Sequence, residues 1–359
     1  MRIGYWPAML AALASPVLSN ADDLALKEGA IVQIGGHRVT VAKYDVLPYR
    51  ETIFSKLCVY DRYDNPKLTE LRDEYKLNKV VAAGRTEFEK QVLLLHWAYS
   101  CFDFGDPKRE IAPGRFQDLG SLRNALIILA LARKEQKFFC VQYASVLISA
   151  AASMGWVCRL LGSGTDTWTE MWSNQYGRWV HFNPTVDHYW EKGGIPIDTC
   201  SAQAALKAGA KDLTLVAHDG RTYPLRLVYD KYNYITNTNW MDMEGGYGRT
   251  YTISVADNRG GLNRNNLTQT DAASDVLFPI NQAALGFTPQ DRGFAVSIKT
   301  MTPNFKTFMV RIDGKEWKES GDSFAWNLHA DRNVLEVKSV NEFGVDGYVS
   351  TVVLEVITP

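Results

Sequence analysis

The sequence is poor in cysteine and has no long run of basic residues. Its five cysteines include no Cys-x-x-Cys pair and no cluster with histidine, so no zinc site is indicated, and their odd number leaves at least one thiol unpaired. Thirty-nine Lys and Arg balance 40 Asp and Glu, which leaves a net charge of -1 and no electrostatic signature of nucleic-acid binding. An apolar fraction of 46% and a charged fraction of 22% exclude a largely disordered chain.

Long apolar runs are also missing after the first twenty residues. The chain has a positive charge at Arg2, is largely apolar from residue 3 to 18 and then reaches Ser19-Asn20-Ala21. This order is typical of a secretory signal peptide, which we expect at residues 1–21, with a buried N-terminal helix as the alternative. No later segment offers the ~20 apolar residues of a membrane span. We therefore expect a secreted or periplasmic protein with no stable membrane span.

Helical patterns dominate the region from residue 86 to 154. Apolar residues recur at helical spacing over Thr86–Phe102 and again over Ser121–Glu135. A third helix is predicted from near Phe139 to Met154, where Gly155 is suited to end it. The Cys140 side chain therefore lies at a predicted helix N-terminus.

Strand patterns follow, interrupted by one helix predicted at Ser201–Ala208. We expect a strand at Trp156–Leu161 and a hairpin of Thr165–Trp172 with Arg178–Phe182. Two short strands are predicted before residue 43, at Ala30–Ile34 and His37–Ala42. From Phe294 onward, five strands separated by turns indicate a small sandwich of immunoglobulin or fibronectin type.

A cysteine at a helix N-terminus can be reactive, because unpaired backbone N–H groups and the helix dipole stabilise a thiolate and an oxyanion. A buried and inert cysteine is the more common case. The residues after Cys140 favour chemistry, because helix, strand and hairpin follow in an order known from cysteine enzymes.

The chain resembles the transglutaminase-like superfamily of papain-type cysteine enzymes over roughly residues 80–200. The resemblance is carried by five blocks: Phe138-Phe139-Cys140-Val141-Gln142-Tyr143-Ala144, Gly155-Trp156-Val157-Cys158-Arg159, Trp168-x-Glu170, Asn183-Pro184-Thr185 and His188-Tyr189. It implies an α+β fold with helices packed on an antiparallel sheet. Together with the patterns above, it gives the expected division: 1–21 signal peptide, 22–80 N-terminal strands and extension, 81–215 transglutaminase-like core, 216–287 irregular connecting region and 288–359 β-sandwich.

Two positions of the family's catalytic triad differ in this sequence. The resemblance makes Cys140 the nucleophile, but Asp166 occupies the histidine position and Asn183 the aspartate position. An asparagine can still orient an imidazole. A carboxylate beside the thiol cannot return a proton to a leaving amine at neutral pH, and it raises the thiol pKa.

Strand register limits which histidine could substitute. Pairing Trp172 with Trp179 places Glu170 opposite His181 and Trp168 opposite Asn183, all on one face of the hairpin. His181 then lies about 13 Å along the strand from Asp166, so we expect it to pair with Glu170 rather than act in catalysis.

The other histidines were weighed in the same way. His188 follows the hairpin and could fold back toward the vacant histidine position. His96 lies on the apolar stripe of a predicted helix and is expected in the core. The remaining three have no neighbours in sequence that indicate chemistry: His37, His218 and His329.

Glycoside hydrolysis is a further possibility for Asp166. Glu170 is about 13 Å away along the strand, too far for a catalytic carboxyl pair, but Asp187 or Glu244 could supply the second acid. Sugar stacking would suit the aromatic residues of this region, although ordinary packing also explains them: Trp168, Trp172, Trp179, Tyr189 and Trp190.

Three functions therefore remain open. The first is a cysteine-dependent amide or isopeptide hydrolase or acyl transferase with Cys140, Asp166 and Asn183 as its catalytic residues. The second is an inactive descendant that binds a peptide or glycan, and the third is a carbohydrate-active enzyme using Asp166. Partners would be a peptide, protein or polysaccharide, with no nucleic acid, and neither a cofactor nor a metal is predicted. Substrate contacts are assigned to four residues: Trp168, Trp172, His188 and Tyr189.

Overall fold

The computed structural model describes residues 24–52, 54–162, 166–223 and 272–357, together with the backbone of four short strands between residues 236 and 270. The signal peptide expected at residues 1–21 lies outside the described residues. Most of the predicted irregular region 216–287 does too.

Seven α-helices occur in the described part of the chain, with a 3-10 turn at Ser55–Leu57. Their bounds are α1 Pro66–Glu74, α2 Leu77–Val80, α3 Glu87–Ser100, α4 Ala125–Ala132, α5 Cys140–Ser153, α6 Thr199–Lys207 and α7 Ala273–Val276. The three helices predicted between residues 86 and 154 are α3, α4 and α5, and the helix predicted at Ser201–Ala208 is α6.

Twenty-three strands are described. The first twelve are β1 Ile31–Ile34, β2 His37–Asp45, β3 Val59–Tyr60, β4 Lys108–Ala112, β5 Arg115–Asp118, β6 Cys158–Gly162, β7 Thr167–Ser173, β8 Arg178–Asn183, β9 His188–Lys192, β10 Ile195–Pro196, β11 Leu213–Ala217 and β12 Thr222–Tyr223. The others are β13 Thr236–Thr238, β14 Trp240–Met241, β15 Thr252–Val255, β16 Thr268–Thr270, β17 Ala284–Gln290, β18 Gly293–Lys299, β19 Phe305–Ile312, β20 Lys318–Ser320, β21 Ser323–Asn327, β22 Asp331–Asn341 and β23 Ser350–Ile357.

Side-chain caps set two of the helix starts. Thr86 and Glu89 form a reciprocal capping box at the start of α3. The Asn124 side chain accepts a hydrogen bond from the backbone N–H of Ile127, so α4 begins after Asn124. The predicted helix started at Ser121 and is therefore too long at its N-terminal end.

A ten-stranded sheet forms the centre of the α+β region. Its strand order is β12-β11-β9-β8-β7-β6-β13-β15-β16, with β10 on β9, and all of its pairs except β15 with β16 are antiparallel. The buried helix α5 packs on one face, against Met171, Val180 and Phe182. The opposite face packs against α6 and the segment around Phe278. The predicted α+β class with mainly antiparallel sheet is confirmed.

The C-terminal strands form two sheets around one hydrophobic core. A six-stranded sheet has the order β1-β2-β23-β22-β19-β20, and a three-stranded sheet has the order β17-β18-β21. Side chains from both sheets meet in a shared cluster that includes Val39, Phe294 and Leu354. This arrangement agrees with the β-sandwich predicted from the regular strand spacing.

The sandwich takes in more of the chain than the sequence indicated. Strand β2 pairs along β23, from Arg38 with Ile357 to Asp45 with Thr351, and β17 begins before residue 288. The predicted division had placed residues 22–80 in a separate N-terminal extension. The alternation of apolar and polar residues identifies each strand but not its partner. Pairing between strands some 300 residues apart therefore leaves no local pattern in the sequence.

No helix among the described residues is long and apolar enough to cross a membrane.

Candidate functional site

One edge of the central sheet collects most of the polar residues considered above. Strands β8 and β11 end at this edge and β7 and β9 begin there, because Asn183 pairs with His188 and His188 pairs with Ala217. The hairpin register is the predicted one, with Glu170 opposite His181 and Trp172 opposite Trp179. Residues distant in sequence therefore share one edge of the fold.

Cys140 is the first residue of α5. The preceding Phe139 has an extended backbone and supplies no side-chain cap, so the first N–H groups of the helix have no capping side chain. The thiol is partly exposed, unlike most of α5. This is the placement in which helix geometry favours an anion.

Asp166 lies beside this thiol, just before β7. Its Oδ1 accepts a hydrogen bond of 2.9 Å from the backbone N–H of Thr167. Burial raises the pKa of the Cys140 thiol; the charge of Asp166 and a hydrogen bond with it raise it further, while contacts with Thr167 lower it. The net direction is upward, so the thiol is held in its neutral form.

The side chains that shift the pKa of the Cys140 thiol are those of Asp166 and Thr167, and no histidine is among them. All six histidines of the sequence lie in the described part of the chain. His188, which was considered as a substitute, is a buried residue at the start of β9 with its ring 6.3 Å from that of Tyr223.

Asn183 is the last residue of β8. Strand alternation places it on the face of Trp179 and His181, whereas Phe182 lies on the face that α5 covers. Its Oδ1 accepts a hydrogen bond of 3.1 Å from the backbone N–H of Thr185. Among the described residues no hydrogen bond joins Asn183 to Cys140, and the catalytic role assigned to Asn183 stays a prediction.

The four residues assigned to substrate contact are buried. Trp168 and Trp172 are 1% and 2% exposed, and His188 and Tyr189 are both 8% exposed. Trp168 packs with Trp190 under α6, and the Trp172 ring meets that of Trp179 edge to face at 5.6 Å. These rings fill hydrophobic cores, so the packing interpretation replaces the sugar-stacking one.

His181 lies opposite Glu170 as predicted, and Glu170 also belongs to a wider hydrogen-bond network. The Glu170 carboxylate accepts hydrogen bonds from Arg159 Nε at 3.0 Å and from the Thr199 backbone N–H at 2.8 Å. His181 Nδ1 lies 3.0 Å from Thr199 Oγ1. Arg159 follows Cys158 on β6 and is fully buried, so this basic residue supplies the positive charge beside Glu170.

A second cluster at the same edge was not predicted. Asp187 Oδ2 lies 2.9 Å from Nδ1 of His96 on α3 and also contacts Nδ1 of His218, which follows β11. The two imidazole rings stack with centroids 3.5 Å apart. This donor set could hold a metal ion, because its ligand atoms all lie within 4.8 Å of one another. The expectations that His96 is a core residue and that His218 has no chemical neighbours are therefore wrong.

The signal for this cluster was weak in the sequence. His96 sits on the apolar stripe of α3, but its side chain is 39% exposed because the stripe passes the edge of the sheet. Asp187 has a φ of 55°, a left-handed conformation that turns the chain from β8 into β9. An aspartate in a tight turn after Asn183-Pro184-Thr185 was the one available clue. Asp187 was considered only as a partner of Asp166, while Glu244 lies outside the described residues.

An exposed hairpin stands next to the start of α5. Strands β4 and β5 pair only with each other among the described strands. The base of the hairpin is joined by a hydrogen bond from Leu119 N–H to the Pro107 carbonyl, and Gln142 of α5 donates to the Leu119 carbonyl. Three large apolar residues of this region are more than half exposed: Phe104 60%, Ile111 54% and Phe116 60%.

Comparisons with protein-family models, curated proteins and solved structures find no match. The relation to the transglutaminase-like superfamily therefore depends on the sequence blocks quoted above.

Proposed function

We propose that this chain is a transglutaminase-like protein that binds an extended peptide beside the start of α5 and does not use Cys140 as a nucleophile. The contact between the Cys140 thiol and Asp166 is the observation that carries the proposal. A cysteine enzyme needs a thiolate and a proton donor for the leaving group. Asp166 supplies neither, since its charge raises the thiol pKa and a carboxylate is a poor general acid at neutral pH.

Geometry favours a peptide over a glycan. The aromatic residues to which the sequence assigned sugar stacking do not support it, because Trp168, Trp172 and Tyr189 have their rings in the cores. The hairpin beside Cys140 instead offers strand edges whose backbone groups can pair with an added strand. Its exposed apolar side chains would contact alternate side chains of that strand.

The surface of the β4–β5 hairpin is apolar, although the chain as a whole has balanced charge. Ile111 lies on β4 and Phe116 on β5, and both are more than half exposed. Exposed apolar residues grouped in this way are typical of interaction surfaces. The peptide would then run along the hairpin edge past the end of the central sheet.

Binding and catalysis can be tested on the same proteins. We expect fluorescein-labelled unfolded casein to bind the full chain in an anisotropy titration, and Phe116→Ser to weaken binding by about tenfold, the effect of losing one buried aromatic anchor. Ile127→Ser is the matched control, because Ile127 is 50% exposed on α4, outside the hairpin. Cys140→Ala should bind as the unmodified protein does.

The alternative, that Cys140 is a catalytic nucleophile, predicts different results. A cysteine transferase or hydrolase would incorporate a fluorescent primary amine into casein, or release peptides from it, and Cys140→Ala would abolish that reaction. Such a result would replace the binding proposal with the cysteine-enzyme hypothesis. Equal casein affinities for the unmodified protein and Phe116→Ser would show that the hairpin is not the binding surface.

A further inference from the structure

We infer that His96, Asp187 and His218 form a binding site for a divalent transition-metal ion, with Zn²⁺ as the ion to test. The site lies on three elements that only the fold brings together: α3, the turn from β8 to β9, and the end of β11. It uses neither Cys140 nor the β4–β5 hairpin. The inference therefore stands or falls separately from the proposed peptide binding.

The three side chains converge on one point. Both imidazoles direct Nδ1 toward Asp187 Oδ2, at 2.9 Å for His96, and the rings stack at 3.5 Å with an angle of 20° between their planes. Both ring nitrogens and the carboxylate oxygen therefore face one another, as the ligand atoms of a shared ion do.

The Asp187 carboxylate gives the second, independent observation. Its side chain is only 9% exposed, and Oδ1 is buried with no hydrogen-bond partner among the described residues. A carboxylate that served only to bind two histidines would use both of its oxygens, since burying a polar oxygen without a partner is unfavourable. Bidentate coordination of a metal ion by the Asp187 carboxylate would satisfy this oxygen.

The donor set matches known coordination chemistry. Two histidines and one carboxylate are the protein ligands of many catalytic zinc sites and of non-haem iron sites. Bond lengths of about 2.0–2.2 Å to N and O place tetrahedral ligand atoms some 3.3 Å apart, which the 4.8 Å cluster reaches with shifts below about 1 Å. Three protein ligands leave a fourth position for water or another exchangeable ligand.

Access and local charge are compatible with an ion. The side chains of His96 and His218 are 39% and 25% exposed, so the site can exchange ions with solvent. Arg221 is close enough to interact with Asp187, but its Nε donates to Asp219 at 2.6 Å. The opposing positive charge is therefore largely paired.

Metal binding can be measured directly on the full chain without an affinity tag. After treatment with a chelator and its removal, calorimetric titration should show one Zn²⁺ per chain with a dissociation constant on the order of a micromolar or below. Co²⁺ should give visible absorption bands typical of tetrahedral coordination. We expect His96→Ala, His218→Ala and Asp187→Asn each to weaken Zn²⁺ binding by about a hundredfold or more.

A matched histidine elsewhere provides the control. His329 Nε2 lies 3.2 Å from Asp313 Oδ2 on the sandwich, so His329→Ala removes a similar pair and should leave Zn²⁺ affinity unchanged. His96→Ala decides the matter if Asp187→Asn does not fold, because His96 is partly exposed. Absence of Zn²⁺ binding by the unmodified chain, or equal affinity in His96→Ala, would show a histidine–aspartate hydrogen-bond cluster and overturn the inference.

Discussion

Two carboxylates at the same edge of the central sheet have opposite partners. Asp166 lies beside a thiol, whose pKa it raises, so its charge suppresses the reactive form of Cys140. Asp187 lies between two imidazoles, a donor set that could hold a metal ion. A carboxylate therefore disfavours the thiolate at one site and completes a set of possible metal ligands at the other.

The comparison suggests that chemistry at this edge depends on where the histidines are. Asp166 and Thr167 are the side chains that shift the pKa of the Cys140 thiol. His96 and His218 instead lie beside Asp187, in the turn from β8 to β9.

The largest expected effect comes from restoring an imidazole beside the thiol. We expect Asp166→His to raise the rate of Cys140 alkylation by iodoacetamide at pH 7 about a hundredfold, which corresponds to a thiol pKa lower by about two units. Asp166→Asn removes the charge without adding a base and should raise the rate about tenfold. Stopped aliquots analysed by mass spectrometry would give the rate at Cys140 alone.

Cys140→Ala is the blank for this measurement. The other thiols should contribute little, because burial raises the pKa of Cys58 to about 11 and the pKa values of Cys101 and Cys158 to about 12. Equal rates for the unmodified protein and Asp166→Asn would mean that Asp166 does not control the thiol. Rapid alkylation of the unmodified protein at pH 6 would contradict the contrast between the two carboxylates altogether.

Local patterns predicted the elements of the site better than its contacts. Helical spacing and Gly155 placed Cys140 at the start of α5, and the alternation of β7 and β8 predicted the pairing of Glu170 with His181. Both features are recorded within a few residues of sequence. The predictions were weaker where α3, the β8–β9 turn and β11 meet.

The missed contacts depend on packing between distant segments. His96 and His218 are more than 100 residues apart, and only the order β11-β9-β8 brings them to one carboxylate. Likewise, Glu170 accepts a hydrogen bond from Arg159 on the neighbouring strand, a contact that the correct hairpin register did not predict. Side-chain choice among several neighbours is a tertiary property that strand alternation does not determine.

A smaller effect should distinguish the stability contributed by the Asp187 carboxylate from that of the backbone conformation of its turn. In the presence of a chelator, we expect Asp187→Ala to lower the free energy of unfolding by about 2–3 kcal/mol, since it loses contacts with two imidazoles and adds strain at a φ of 55°. Urea denaturation would measure this. Asp331→Ala is the matched control, because Asp331 also has a positive φ, 69°, and should cost only about 1 kcal/mol. Equal losses would mean that the Asp187 carboxylate contributes nothing beyond its backbone conformation.

The smallest effect concerns a fully buried histidine. Burial lowers the pKa of His181 well below 6.5, and the nearby His188 lowers it further. As the pH falls below about 6.5, the unfolded chain therefore protonates His181 while the folded chain keeps it neutral. The contribution of His181 to the stability of the fold is thus present above that pH and is lost as the pH falls toward the folded-state pKa. The slope is at most about 1.4 kcal/mol per pH unit. We expect His181→Gln to unfold with a shallower pH dependence between pH 7 and 5, measured by urea denaturation at each pH, and with a parallel dependence above pH 7.5. An unchanged slope below pH 7 would mean that the acid sensitivity of the fold comes from other groups. Burial would then change the titration of His181 less than the structure indicates.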